Sequence, residues 1–110
     1  MNEIYFKTEL SYPDLANHLR DILKIPYEER ESLNLGGGEY YLFKTKEWEF
    51  YLIRNEGEVE IPEREGWSYY LYAESLNGNV GEEAVDAYTH ELARTLKENG
   101  LDVEVDELRY

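Results

Sequence analysis

Three consecutive glycines at residues 36–38 lead into two aromatic-rich runs, EYYLFKTK and EWEFYLIRN, that stand back to back up to residue 55. Tyr40, Tyr41, Phe43, Trp48, Phe50, Tyr51 and Ile53 are aromatic or β-branched, the types that suit a pleated, half-buried surface. The polar break between the runs suits a turn, and the glycines cannot hold regular structure firmly. The pattern predicts a β-hairpin at the centre of a small sheet. Side chains alternate along a strand, so the hairpin should have two fairly apolar faces. The expectation is Leu42, Phe50 and Leu52 on one face, with Tyr41, Phe43, Tyr51 and Ile53 on the other.

The flanking chain supplies helices and further strands. Residues 2–9 read as a first strand, with Ile4 and Phe6 pointing one way and Tyr5 and Lys7 the other. Ser11 offers an N-cap, followed by Pro13 in the first turn and Asp14 at the capping-box position. Leu15, Leu19, Ile22 and Leu23 then form one apolar stripe on a helix over residues 12–24, which Pro26 ends. Residues 27–34 are polar and read as a loop. Within residues 56–67, EGEVEIPEREGW, Glu58, Val59, Glu60 and Ile61 alternate acid and apolar side chains, which suits a short edge strand limited by Pro62. Residues 68–74 form another strand, with Leu71 and Ala73 toward the core and Tyr70, Tyr72 and Glu74 opposite. Glu82 and Glu83 open a second helix with Val85, Tyr88, Leu92 and Leu96 as its buried stripe, Ala84 beside it and Gly100 as its stop. Residues 101–107 alternate cleanly, with Leu101, Val103 and Val105 inward.

The predicted order is β-α-β-β-(β)-β-α-β in a single α+β domain over residues 1–110. Its economical architecture is a two-layer sandwich: a predominantly antiparallel sheet of five to six strands, with both helices on one face. The other face is left partly open. Alternation places Glu49, Tyr51, Tyr70, Tyr72, Glu74, Asp102, Glu104 and Asp106 there, beside the glutamate-rich segment that carries Glu58, Glu60, Glu63 and Glu65. Tyrosine is rigid and amphipathic, and it is enriched among interface anchors. Single exposed tyrosines need no special explanation, and for the group two readings stand open: rings that only shield the sheet from water, or, with their rim of carboxylates, a grip on a basic partner.

Charge narrows the classes of partner. The chain carries 25 Asp and Glu against 11 Lys and Arg, a net charge of −14. Phosphate backbones are bound by cations that displace counterions, so direct nucleic-acid binding is not expected. An aromatic content of 15% and a hydrophobic content of 42% argue for a packed domain rather than a disordered acidic tail. The absence of cysteine excludes a disulfide framework and thiolate metal sites. The opening residues have no basic region followed by an apolar core, and no apolar run spans a bilayer, so a cytoplasmic location is expected. Catalytic motifs are not found either. His90-Glu91 lacks the second histidine of a zinc protease, because position 94 is Arg94. Residues 36–38 have no following Gly-Lys-Ser/Thr, and no serine sits in a G-x-S-x-G context. No enzyme, metal or cofactor is expected.

The run GGGEYYLFKTKEWEFYLIRNEGEVEIPE, with SYYLY after it, resembles segments of small acidic immunity proteins of bacterial toxin systems. The resemblance implies a protein that neutralises a cognate toxin, often a basic nuclease, by covering its active site or substrate cleft. Carboxylates would then stand where substrate phosphates sit. Two other readings remain open at this point. One is a small enzyme or ligand-binding domain with a pocket between sheet and helices, and the other is a structural subunit whose open face pairs with itself.

Overall fold

The computed structural model describes residues 2–31, 38–55, 66–78 and 80–107. Its elements are β1 (Asn2–Phe6), α1 (Tyr12–Leu23), β2 (Tyr27–Glu31), β3 (Glu39–Lys44), β4 (Trp48–Arg54), β5 (Tyr69–Ser75), α2 (Glu82–Glu98) and β6 (Val103–Glu107). The six strands form one sheet in the order β2-β3-β4-β5-β1-β6, with every neighbouring pair antiparallel. This is the α+β sandwich predicted above.

The central hairpin forms, but its faces combine differently from the expectation. Phe43 stands opposite Phe50 and Tyr41 opposite Leu52, so these four share a face, while Leu42 joins Tyr51 on the other. The connection decides this. Thr45, Lys46 and Glu47 link the strands, and the Thr45 hydroxyl accepts the amide hydrogens of Glu47 and Trp48 at 3.2 and 3.0 Å. Loop length sets register, and a one-residue slip would exchange the two faces.

Sheet residues of one parity, among them Ile4, Phe6, Phe43, Phe50, Leu52, Leu71 and Ala73, join one buried cluster with residues of both helices. From α1 these are Tyr12, Leu15, Ala16 and Leu19, and from α2 they are Leu92, Ala93 and Leu96. Ser11 caps α1 as predicted by accepting the Asp14 amide hydrogen at 3.3 Å. The helix stops at Lys24, whose backbone is left-handed (φ 58°), before Pro26 is reached. On α2 the buried stripe is Thr89, Leu92, Ala93 and Leu96. Val85 and Tyr88 are half-buried and Ala84 is exposed, so the helix is rotated from the predicted stripe. Thr89 can face the core because its hydroxyl donates to the Val85 carbonyl at 2.9 Å, which satisfies its polar atom within the helix.

The segment read as a loop before the glycines contains strand β2. Only Tyr27 anchors it: its ring meets Tyr41 and Phe43 edge-on, and its hydroxyl donates to Asn17 on α1 at 2.8 Å. The four residues after it are exposed. An edge strand held by backbone bonds and one anchor shows no hydrophobic alternation. The edge strand predicted within residues 58–61 lies outside the described residues.

Candidate functional site

The sheet face away from the helices is built row by row from strand register. One row runs Glu104, Tyr5, Tyr70, Ile53, Tyr40 and Arg30 from β6 to β2. The next holds Tyr72, Tyr51, Leu42 and Glu28, and the one beyond it Glu74, Glu49 and Lys44. Strand pairing thus brings together Glu49, Tyr51, Tyr70, Tyr72, Glu74 and Glu104, as alternation predicted. Asp106 lies in register opposite Glu3 on this face, although its side chain is outside the described residues. Asp102 precedes β6 and is exposed, and its carbonyl accepts the Lys7 amide hydrogen at 3.0 Å. Glu58, Glu60, Glu63 and Glu65 lie outside the described residues.

The face is less open than expected. Tyr5 and Ile53 have no exposed surface, and Tyr70 keeps only 7%. Together they form a second buried cluster, packed by half-buried Tyr40, Tyr51, Trp67 and Tyr72. Tyr70 is therefore a packing residue here, not a displayed one. The rings at the rim are ordered by their neighbours. Tyr51 stacks on Tyr72 with centroids 4.7 Å apart and planes 14° apart, and Tyr40 leans on Tyr51 at 5.7 Å. Stacked rings occupy each other's faces, which turns edges and hydroxyls outward. Lys7 lies 5.9 Å from the Trp67 ring centroid and adds a cation to this side.

Carboxylates complete the surface. The Tyr51 hydroxyl donates to Glu49 Oε1 at 2.7 Å, and the Tyr5 hydroxyl donates to buried Glu3. Burial, and after it the nearby carboxylates, hold Tyr51, Tyr70 and Tyr72 in the neutral form. Tyr70 is pushed up to about 12 by burial and then by Glu3. Tyr51 is raised by burial and by its bond to Glu49, and Tyr72 by burial and then Glu74. Glu49 stands directly opposite Glu74, with Lys44 on its other side. Like charges directly opposite one another disfavour the pairing, so this pair works against the stability of the sheet. The rim therefore presents carboxylates interleaved with neutral phenols whose oxygens can still accept, a surface that matches the N–H donors of ammonium and guanidinium groups.

Other chemistry finds less support in the geometry. Among the described residues, no three His, Asp or Glu side chains come together as a metal site. His18 and His90 are both exposed. Two surface depressions of about 260 and 300 Å³ lie at the strand ends. Glu29, Arg30, Glu31, Glu39, Tyr40 and Tyr41 border the first, and Arg54, Asn55, Gly66, Trp67, Ser68 and Tyr69 the second. No helix among the described residues is long and apolar enough to cross a membrane.

Sequence reasoning missed Tyr40 and Trp67 as parts of this face, and it set Ile53 beside Tyr51 and Tyr5 opposite Ile4 and Phe6 without carrying either to the candidate surface. The alternation of β1 already turned Tyr5 away from Ile4 and Phe6, and that was the available signal. Trp67 stands outside any strand and carried none. Comparison of the chain with protein-family models, with curated proteins and with solved structures finds no match.

Proposed function

We propose that this chain is a protein-binding inhibitor of the immunity type, acting in the cytoplasm, whose helix-free sheet face holds a basic protein partner. The observation that carries this reading is the convergence of Glu49, Tyr51, Tyr72, Glu74 and Glu104 from β4, β5 and β6 onto one face. A surface with neutral tyrosine edges around a hidden apolar centre, rimmed by charge, has the anatomy of a protein interface. The net charge of −14 gives that face a long-range field that speeds encounter with a cationic partner. Once docked, desolvated tyrosines slow dissociation. The resemblance noted above supplies the partner class, a basic nuclease-like toxin whose phosphate-binding cleft the carboxylates would fill.

The test is to co-express the chain with the protein encoded immediately upstream, isolate any complex, and follow association across an ionic-strength series. The expected result is a stable complex whose association rate falls roughly tenfold or more from low to physiological salt. The double variant Glu49→Lys, Glu74→Lys should slow association further. Failure to form a complex, or a rate indifferent to salt and to these substitutions, would refute the reading.

A further inference from the structure

β6 ends the sheet, and among the described residues it pairs only with β1. The direction of its backbone groups follows from one bond. Lys7 donates its amide hydrogen to the Asp102 carbonyl, and the register that sets Phe6 opposite Val103 continues to Lys7 opposite Asp102. In an antiparallel pair, opposed residues alternate between exchanging hydrogen bonds and turning them outward. Lys7 and Asp102 are a bonded pair, and so are Tyr5 and Glu104 two residues on. Val103 and Val105, opposite Phe6 and Ile4, therefore point their N–H and C=O groups away from β1, toward the side on which no other described strand pairs with β6.

The side chains of this edge sort by face. Val103 is 5% exposed within the helix-covered cluster, and half-buried Val105 packs against the same cluster, so that side of the strand is held in place. Glu104 is exposed and, with the register position of Asp106, lies on the helix-free face. The opposite edge of the sheet differs. β2 carries both signs of charge, and its Arg30 is already hydrogen-bonded to Glu28. Charges on an edge guard against edge-to-edge pairing with a second copy. A mixed edge discourages every comer alike, whereas an edge of one sign repels its own copy and favours a strand of opposite charge.

We propose that the β6 edge receives an extended basic segment of the partner as a seventh, antiparallel or parallel strand. Its backbone would bond to Val103 and Val105. Its lysines or arginines would lie beside Glu104 and Asp106, and the residues between them, being apolar, would extend the helix-covered side. This proposal rests on the reading that the partner is a basic protein. It adds where that partner's chain is gripped and in what conformation.

A capped octapeptide of alternating lysine and valine is a suitable probe, with a peptide of the same composition in two blocks as control. Amide hydrogen exchange and tyrosine ring signals are followed by NMR as peptide is added. With the alternating peptide, the Val103 and Val105 amides should exchange about tenfold more slowly, with those of β2 unchanged. The block peptide should give far less protection. Val105→Pro removes an outward N–H that β1 does not use, and should abolish the effect at the edge. Glu104→Lys keeps that backbone intact and should transfer the preference to an alternating glutamate and valine peptide. Unchanged Val103 and Val105 amides at saturating peptide, or equal protection by the block peptide, would overturn the proposal. If the Tyr51 and Tyr72 rings respond while these amides do not, only the edge docking falls. If neither responds, the basic-partner reading falls with it.

Discussion

Phe50 and Ile53 sit on the same strand and are equally hidden from water, but they face opposite sides of the sheet. Phe50 lies under the helices, among Phe43, Ala73 and the ring of Tyr88. Ile53 lies among Tyr5, Tyr70, Tyr40 and Trp67. The first environment is closed mainly by aliphatic residues of α1 and α2, which cannot serve a polar partner. The second is closed by rings that carry a hydroxyl or an N–H, and these keep one end wet. The difference teaches that burial alone does not mark a face as structural. A satellite core can fix the shape of a surface while its rim remains polar and able to bind.

The comparison breaks most readily at these two residues. Phe50→Ala should destabilise the protein by about 3–5 kcal/mol, the usual cost of emptying a buried aromatic site. Ile53→Ala should cost about 2–4 kcal/mol if the helix-free face has a true core beneath its tyrosines. Urea unfolding with an unchanged slope checks both values. A loss below about 0.5 kcal/mol for Ile53→Ala would show that face to be ordinary surface.

Which parts of this arrangement were legible in the chain follows from where the forces are local. The Ser11 cap and the alternation of Tyr70, Leu71, Tyr72 and Ala73 depend on neighbours in sequence, so they could be read. Parity also placed Glu49, Tyr51, Tyr72 and Glu74 together correctly. The pairing of Phe43 with Phe50 depends on how a three-residue connection folds, and composition leaves that register undecided. β2 stayed hidden because YEERE carries a single apolar residue and is held through β3. The second cluster was missed because it is assembled from β1, β3, β4, β5 and Trp67, and its members that are close in sequence, Tyr51 with Ile53 and Tyr70 with Tyr72, do not announce which strands lie beside them.

The tyrosines sharpen the same comparison through pH. Tyr70 is raised from 10.0 to about 12, chiefly by burial, and Tyr51 and Tyr72 are also raised, with Glu49 and Glu74 contributing. In the unfolded chain these phenols lose their protons near pH 10, while the folded protein retains them. The unfolded state then binds fewer protons than the folded one, so stability falls as pH rises. The contribution is whole below pH 10 and is lost through about pH 12. Unfolding measured across that range should show the decline, and Tyr70→Phe should make it shallower. Parallel curves for the variant and the parent would mean that Tyr70 meets water more freely than its burial implies.

The smallest expected effect separates stability from binding most cleanly. Glu49 and Glu74 face each other across β4 and β5, flanked by Lys44 on one side only. Glu74→Lys makes the row alternate in sign and should stabilise the sheet by about 0.2–1 kcal/mol. Added salt should shrink that gain, because both groups are at or near the surface. The same substitution removes a carboxylate from the proposed interface and should weaken capture of a cationic partner. A variant that unfolds later yet binds more slowly would mean that this opposed pair is kept for recognition at the expense of the fold. A variant that unfolds later and binds as before would return the pair to the ordinary surface and shift the contact toward Glu104 and the β6 edge.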